Sequence, residues 1–241
     1  MSDPVLYSVE EGVATIRLNR PQARNALNLA MCDGLAAAAK AAADDPAVKL
    51  VLVRAAGSVF CAGADVKERE GMDAAQVRAR RQKGFDAYAA LESLPMPAVA
   101  VVEGPAVGSG CEIASSCDFI VATPAASFRT PEAIRGTVGA TQRLARVLGK
   151  RLAKDMMYTG RTLSAEEALA HGLVARLVVP ERLAETLAAI VKAITAAPRQ
   201  SLRLAKRTID RGVELDPKGA LAAEIEAIEE QLASGQWMGK G

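Results

Sequence analysis

An α/β fold that ends in a run of helices is the fold class this sequence predicts, and three observations predict it. From Val5 to Ala122, short runs of β-branched and aliphatic residues alternate with longer helical stretches, the pattern that winds a largely parallel sheet. Glycine-rich turns stand at the exits of two of those runs, Phe60-Cys61-Ala62-Gly63-Ala64-Asp65 and Gly104-Pro105-Ala106-Val107-Gly108-Ser109-Gly110. Beyond Pro180 the periodicity is almost wholly helical.

Taken in order, Val5–Val9 and Val13–Leu18 read as two strands of a hairpin joined at Glu10-Glu11-Gly12. Asn28 caps an Ala-rich helix to about Ala43, which Asp44-Asp45-Pro46 ends before a strand over Lys49–Arg54. Asp73 caps a second helix to about Leu94; Pro95 and Pro97 break it, and Ala98–Val102 is the next strand. A glycine turn, a short helix near Cys111–Ser116 and the strand Phe119–Ala122 follow. Helical patterns then cover Thr141–Leu148, Lys150–Tyr158, Ser164–His171, Pro180–Thr195, Arg199–Arg211 and Pro217–Leu232, with one strand at Val174–Val179. The change near residue 195 divides the chain into a core, 1–195, and a C-terminal helical segment, 196–241, with no low-complexity linker between them.

Composition narrows the function. Half of the 241 residues are hydrophobic, enough for a substantial core, and 30 basic against 28 acidic residues leave a formal charge of +2, too balanced for a general polyanion binder. Aromatics make up only 3%, which argues against a base-stacking platform. Met1–Arg20 has no continuous apolar stretch of the kind a secretory signal needs, and no run in the chain reaches the ~20 apolar residues of a membrane span. These readings predict a cytoplasmic protein with no membrane partner. Cys32, Cys61, Cys111 and Cys117 lack metal-site spacing, and the lone His171 completes no Cys/His set, so reduced structural thiols and no metal are expected.

The chemistry gathers around the two turns. A glycine turn that opens a helix exposes backbone N–H groups and the positive end of the helix dipole, and two such donors from different turns can polarise one carbonyl oxygen. Glu112 follows the second turn and Glu132 follows Pro131; both are acids in apolar surroundings, which raises the cost of their charge. Paired near an oxyanion hole, they are suited to move protons between carbon and water.

With these residues in view, the chain resembles the crotonase family, the enoyl-CoA hydratase/isomerase superfamily. The resemblance rests on Leu18-Asn19-Arg20-Pro21, Arg24-Asn25-Ala26-Leu27, the Phe60–Asp65 turn with Lys67-Glu68, Gly108-Ser109-Gly110-Cys111-Glu112, and Cys117-Asp118. It continues through Phe128 with Pro131-Glu132, Thr141-Gln142-Arg143-Leu144, Thr159-Gly160-Arg161 and Gly172-Leu173-Val174. It implies a crotonase-like ββα spiral with a C-terminal helical trimerisation segment, assembled as a homotrimer or homohexamer. It also implies an acyl-CoA substrate and no cofactor beyond the coenzyme A the substrate carries. Carried over residue by residue, Glu112 and Glu132 are catalytic, with Glu112 mainly activating water and Glu132 mainly delivering the proton to the α carbon. The backbone N–H groups of Ala64 and Ser109 form the oxyanion hole, and Arg24, Ala26, Ala62, Asp65 and Lys67 follow the CoA track. The implied reaction is syn addition of water across the 2,3 double bond of an enoyl-CoA.

Departures and rivals are also legible. Ser109 stands where the family usually has Gly, a strained choice if that residue needs positive φ. The Gly136–Thr141 stretch is shorter than usual and lacks a common Pro, Arg129 adds a cation before the second glutamate, and the terminal segment that often closes the CoA pocket is missing from this sequence. Double-bond isomerisation, with one glutamate shuttling a proton, is the alternative within the family. An RNA-binding homologue is the alternative outside enzymology, resting on Arg78, Arg80, Arg81 and Lys83, although a solvated cationic face explains that cluster and nucleic acid is disfavoured. His171 is expected at the surface, at the end of its helix.

Overall fold

The computed structural model describes residues 3–235. Strands β1 (Val5–Glu10) and β2 (Val13–Leu18) pair antiparallel, with Glu11 and Gly12 both in the left-handed region, as a tight hairpin of this twist requires. Helix α1 (Leu29–Asp44) starts at Asn28, whose side chain accepts from the Met31 N–H at 3.0 Å. Then come β3 (Leu50–Ala55) and α2 (Ala74–Glu92), the latter opened by a reciprocal Asp73/Gln76 capping box. The chain continues through β4 (Ala98–Val102), β5 (Pro105–Val107), α3 (Ser109–Ser115), β6 (Phe119–Ala122), β7 (Ser127–Arg129), α4 (Arg143–Thr159), β8 (Thr162–Ser164), α5 (Ala165–Ala170) and β9 (Arg176–Leu177). Helices α6 (Pro180–Ala196), α7 (Arg199–Gly212) and α8 (Pro217–Ala233) complete it.

Six strands form one sheet in the order β1-β2-β3-β4-β6-β9, parallel throughout except for the opening hairpin. Its central strands read as continuous apolar runs because both faces are covered. Leu50, Leu52, Val99 and Val101 pack with Leu183, Leu187 and Ile190 of α6, while Val51, Val53, Ala98 and Ala100 face the larger core with α1 and α2. Ala38, Ala39 and Ala42 of α1 are buried in that core, and α1 packs on α2 as well as on β1 and β2, a setting that favours small side chains.

Three corrections to the sequence reading concern short elements. A second, three-stranded sheet, β5-β7-β8, was not anticipated; each strand spans three residues, too few to display alternation. The strand expected over Val174–Val179 is only Arg176–Leu177, and the short helix begins at Ser109 rather than near Cys111. The two helices expected over Thr141–Leu148 and Lys150–Tyr158 are present as α4, which starts at Arg143 and breaks at the expected place, Gly149, whose φ of 72° and ψ of 158° are not helical.

At the far end, Asp118 accepts from the Ala98 N–H at 2.6 Å and pairs with Lys206 of α7 at 2.9 Å, tying the terminal helices to the sheet. Arg203 and Arg207 of α7 bond Glu230 of α8, and Arg211 bonds Glu226. Those pairs leave Ile209, Leu221, Ile225, Ile228 and Leu232 exposed. Among the described residues, no helix is long and apolar enough to cross a membrane. The four cysteines are buried and free, and burial pushes the Cys32 thiol up to about 11 and Cys61 to about 12.

Candidate active site

Both glycine turns are brought against one cavity of about 330 Å³ that Ala64, Ser109, Glu112 and Glu132 all border. Around Ala64 the backbone pairs with Leu27: Leu27 N–H donates to Gly63 O and Asp65 N–H donates to Leu27 O, each at 2.8 Å. The alternation of a parallel bridge turns the N–H of Ala64 itself the other way, toward the cavity. Ser109 is the first residue of α3, so its N–H has no intrahelical acceptor. Neither N–H has a partner among the described residues.

The strain expected at Ser109 lies one residue earlier. Gly108 carries the positive φ, 51° with ψ −107°, and a Cβ there would overlap Glu132 Oε1. Ser109 is therefore free to bear a side chain, which lies beside the hydroxyl of the buried Tyr88 from α2. Gly110 has its own reason to be glycine: a Cβ would sit 2.5 Å from Cys61 O, so its absence lets α3 press against the first turn.

The two carboxylates sit in opposite surroundings. Glu112, 6% exposed, accepts from Arg143 Nη1 at 2.6 Å, and the other arm of that guanidinium donates to Glu92 at 2.7 Å while its plane lies 5.7 Å from the Tyr88 ring centroid. Burial alone would lower the Arg143 pKa, but its bonds to Glu92 and Glu112 leave it raised. Glu132 Oε2 is buried with no partner among the described residues. Burial pushes the Glu132 carboxyl above the usual range; its own N–H opposes this, the charge of Glu112 adds to it, and Arg135 and Arg81 partly offset it. One acid is thus bonded to a cation, and the other is biased toward its protonated form.

A second, more open groove adjoins the cavity through Ala62 and Ala64, and Arg24, Ala26, Ala62, Asp65 and Lys67 all border it. Asp65 is already engaged: Arg20 holds it at 3.1 Å, and its other oxygen accepts from the Lys67 and Glu68 N–H groups. Asn25, fully buried, fixes the neighbouring loop by donating to Ala56 O and Val59 O, both at 2.8 Å. Arg129, the extra cation of the sequence reading, donates to Gly160 O at 2.6 Å. His171 is exposed at the end of α5, as expected. The basic cluster of α2 is largely consumed within the chain: Arg80 bonds Glu68, Lys83 bonds Asp33, and Arg81 bonds Val138 O.

Sequence reasoning missed Arg143, Tyr88 and Arg81 as members of the site. Arg143 stood in a quoted motif without a role, and nothing local separates its charge, or that of Arg81, from an ordinary helix-surface cation.

Comparisons with known proteins bear on the family and the fold. The sequence profile of the family described as enoyl-CoA hydratase/isomerase matches residues 8–238. A crotonyl-CoA hydratase of Syntrophomonas wolfei is 35% identical over 228 residues, 93% of this chain and 88% of that protein, and a short-chain-enoyl-CoA hydratase of Clostridium acetobutylicum is 37% identical over 94% of this chain and 88% of its own length. The crystal structure of an enoyl-CoA hydratase from Mycobacterium smegmatis superposes with a TM-score of 0.92 at 34% identity, covering 96% of this chain and 91% of that one.

Proposed function

The chain belongs to the enoyl-CoA hydratase/isomerase family, and we propose that its cavity adds water syn across the 2,3 double bond of an enoyl-CoA thioester to give the 3-hydroxyacyl-CoA. The observation that carries this reading is the pairing of one cation-held glutamate and one partnerless, proton-biased glutamate around a cavity with two unpaired backbone donors. In the reaction, the Ala64 and Ser109 N–H groups bind the thioester oxygen and stabilise its enolate-like charge. Glu112, oriented by its bond from Arg143, takes a proton from the attacking water, and Glu132 gives its proton to the α carbon. Dehydration exchanges the two roles. The groove bordered by Arg24, Ala26, Ala62, Asp65 and Lys67 receives the CoA moiety, with Arg24 and Lys67 facing phosphate charge.

The test is a pair of variants. Glu112→Gln and Glu132→Gln are each expected to reduce hydration by at least about 100-fold while acyl-CoA affinity stays within a few-fold. Near-normal turnover in either purified, folded variant removes that residue from the mechanism. Turnover in oxygen-labelled water separates hydration, with label on the C3 hydroxyl, from isomerisation, in which the double bond moves and no label enters.

Assembly is part of the same reading. The division into a core, 1–195, and an assembly segment, 196–241, is supported by the exposed apolar face of α7 and α8; residues 236–241 of that segment lie outside the described residues. Ile209, 64% exposed, together with Leu221, Ile225 and Ile228 supplies a surface suited to partner copies in a trimer or a dimer of trimers. Sedimentation equilibrium yielding only monomer at micromolar concentration would reject it. A cytoplasmic location fits the four buried free thiols.

A further inference from the structure

One part of the cavity wall carries charge that hydration of a plain alkenyl chain does not use. Arg69, half-buried at the end of the short turn Lys67–Arg69, has a buried Nε with no partner among the described residues. Arg81 of α2, also half-buried, donates from Nη1 to Val138 O at 2.7 Å and from Nη2 to Thr137 Oγ1 at 3.1 Å, both uncharged acceptors. Arg80 shows the contrast: its guanidinium is neutralised by Glu68 at 2.7 Å. With Arg80 paired to Glu68 and Glu112 paired to Arg143, the remaining charges bordering the cavity are Arg69, Arg81 and Arg135 against Glu132 alone.

Half-buried guanidinium groups without a counter-ion are costly, and a hydrocarbon tail entering the cavity would deepen that cost by removing their water. A carboxylate does the opposite, because its two oxygens match the planar fork of an arginine. We infer that the cavity takes short 2-enoyl-CoA thioesters whose distal end carries a carboxylate, held by Arg81 and Arg69. The phosphates of CoA are the other available anions, but Arg69 and Arg81 border the cavity and not the adjoining groove, whereas Arg135 borders both and is left out of the recognition pair. Val66, Phe85 and Pro131 supply apolar wall for the carbon stem between thioester and carboxylate. This inference rests on the hydratase reading for the reaction and on the cavity alone for the selectivity.

The experiment compares kcat/KM for 4-carboxybut-2-enoyl-CoA with that for its neutral isostere 5-methylhex-2-enoyl-CoA. The carboxylate substrate is expected to be preferred by about 10-fold or more. Arg81→Met and Arg69→Met should each reduce that ratio by about 10-fold, and Arg81→Lys should restore only part of it, since it returns the charge without the fork. A wild-type preference for the neutral substrate, or a ratio that neither variant moves, overturns the proposal. If Arg81→Met fails to fold, the wild-type ratio and the Arg69 variant decide. If no enoyl-CoA is hydrated, the hydratase reading fails by itself; calorimetric binding of the saturated 4-carboxybutanoyl-CoA and 5-methylhexanoyl-CoA then reads the cavity directly, and equal affinities overturn the inference. An equal loss of affinity for free CoA in both variants would assign the arginines to phosphate and likewise overturn it.

Discussion

The two walls that face each other across the cavity carry the same residue type and treat it in opposite ways. On the α3 wall, Glu112 rises from a helix pressed onto Cys61, and its charge is met by Arg143, itself held by Glu92 and stacked over Tyr88. On the other wall, Glu132 leads into a stretch with Gly136 at φ 70° and Ala140 at φ 53°, the latter a left-handed residue that costs about 1 kcal/mol or more, and its Oε2 has no partner. Val138 there is 71% exposed, and the stretch is tied to α2 through Arg81. The difference teaches that the division of labour between a base and an acid is written in their neighbours. Identical side chains take separate roles because one wall bonds its carboxylate to a cation and the other buries its carboxylate with no hydrogen-bond partner among the described residues.

The largest way to break this comparison is at the residue both walls share. Gly108→Ala forces an overlap with Glu132 Oε1 and disturbs the turn that aims the Ser109 N–H. Loss of kcat on the order of 100- to 1000-fold is expected, since a displaced oxyanion donor alone costs that much. Steady-state kinetics on a variant shown folded by circular dichroism checks it.

Arg143→Met comes next, because it erases the contrast: Glu112 loses the cation that bonds and orients its carboxylate. kcat should fall about 30-fold, an effect in the general-base range. Arg143→Lys should return part of the rate. An unchanged kcat would mean that the ion pair does not prepare Glu112 for its role.

Arg81→Met acts on the opposite wall and is read in the pH profile. Arg81 is one of the cations that lower the Glu132 pKa, so its removal raises that pKa further and keeps the acid protonated to higher pH. The alkaline limb of the profile should shift upward by a fraction of a pH unit, and no shift would show that Arg81 acts on the loop alone.

The smallest expected effect sharpens the comparison thermodynamically. A carboxyl whose pKa is higher folded than unfolded binds more protons in the folded state between the two values, so its contribution to stability falls as pH rises through that interval. Glu132 is such a group by burial, and Glu132→Gln, which cannot ionise, should raise Tm at neutral pH by ~2 °C while removing activity. An unchanged or lower Tm, read by calorimetry, would mean the carboxylate is better accommodated than its partnerless oxygen implies.

Much of this architecture was legible before any coordinates. The Glu11-Gly12 turn, the Asn28 and Asp73 caps and the strands Ala98–Val102 and Phe119–Ala122 were readable because each depends on neighbours along the chain. The strands β5, β7 and β8 were not, since three residues carry no period and their pairing joins segments far apart in sequence. The candidate site divides along the same line. Glu112, Glu132, Ala64 and Ser109 were named from local motifs, whereas Arg143 reaches Glu112 across 31 positions and Arg81 reaches Val138 across 57.

The sequence by itself determined which acids and which backbone turns are available, because caps, glycine turns and apolar periodicity act over a few residues. Only the tertiary structure decided which acid is paired and which is not, where the positive φ falls beside Ser109, and which arginines of α2 are neutralised. Charge state and orientation depend on atoms within a few ångströms in space, and those atoms come from segments that meet only when the chain has folded.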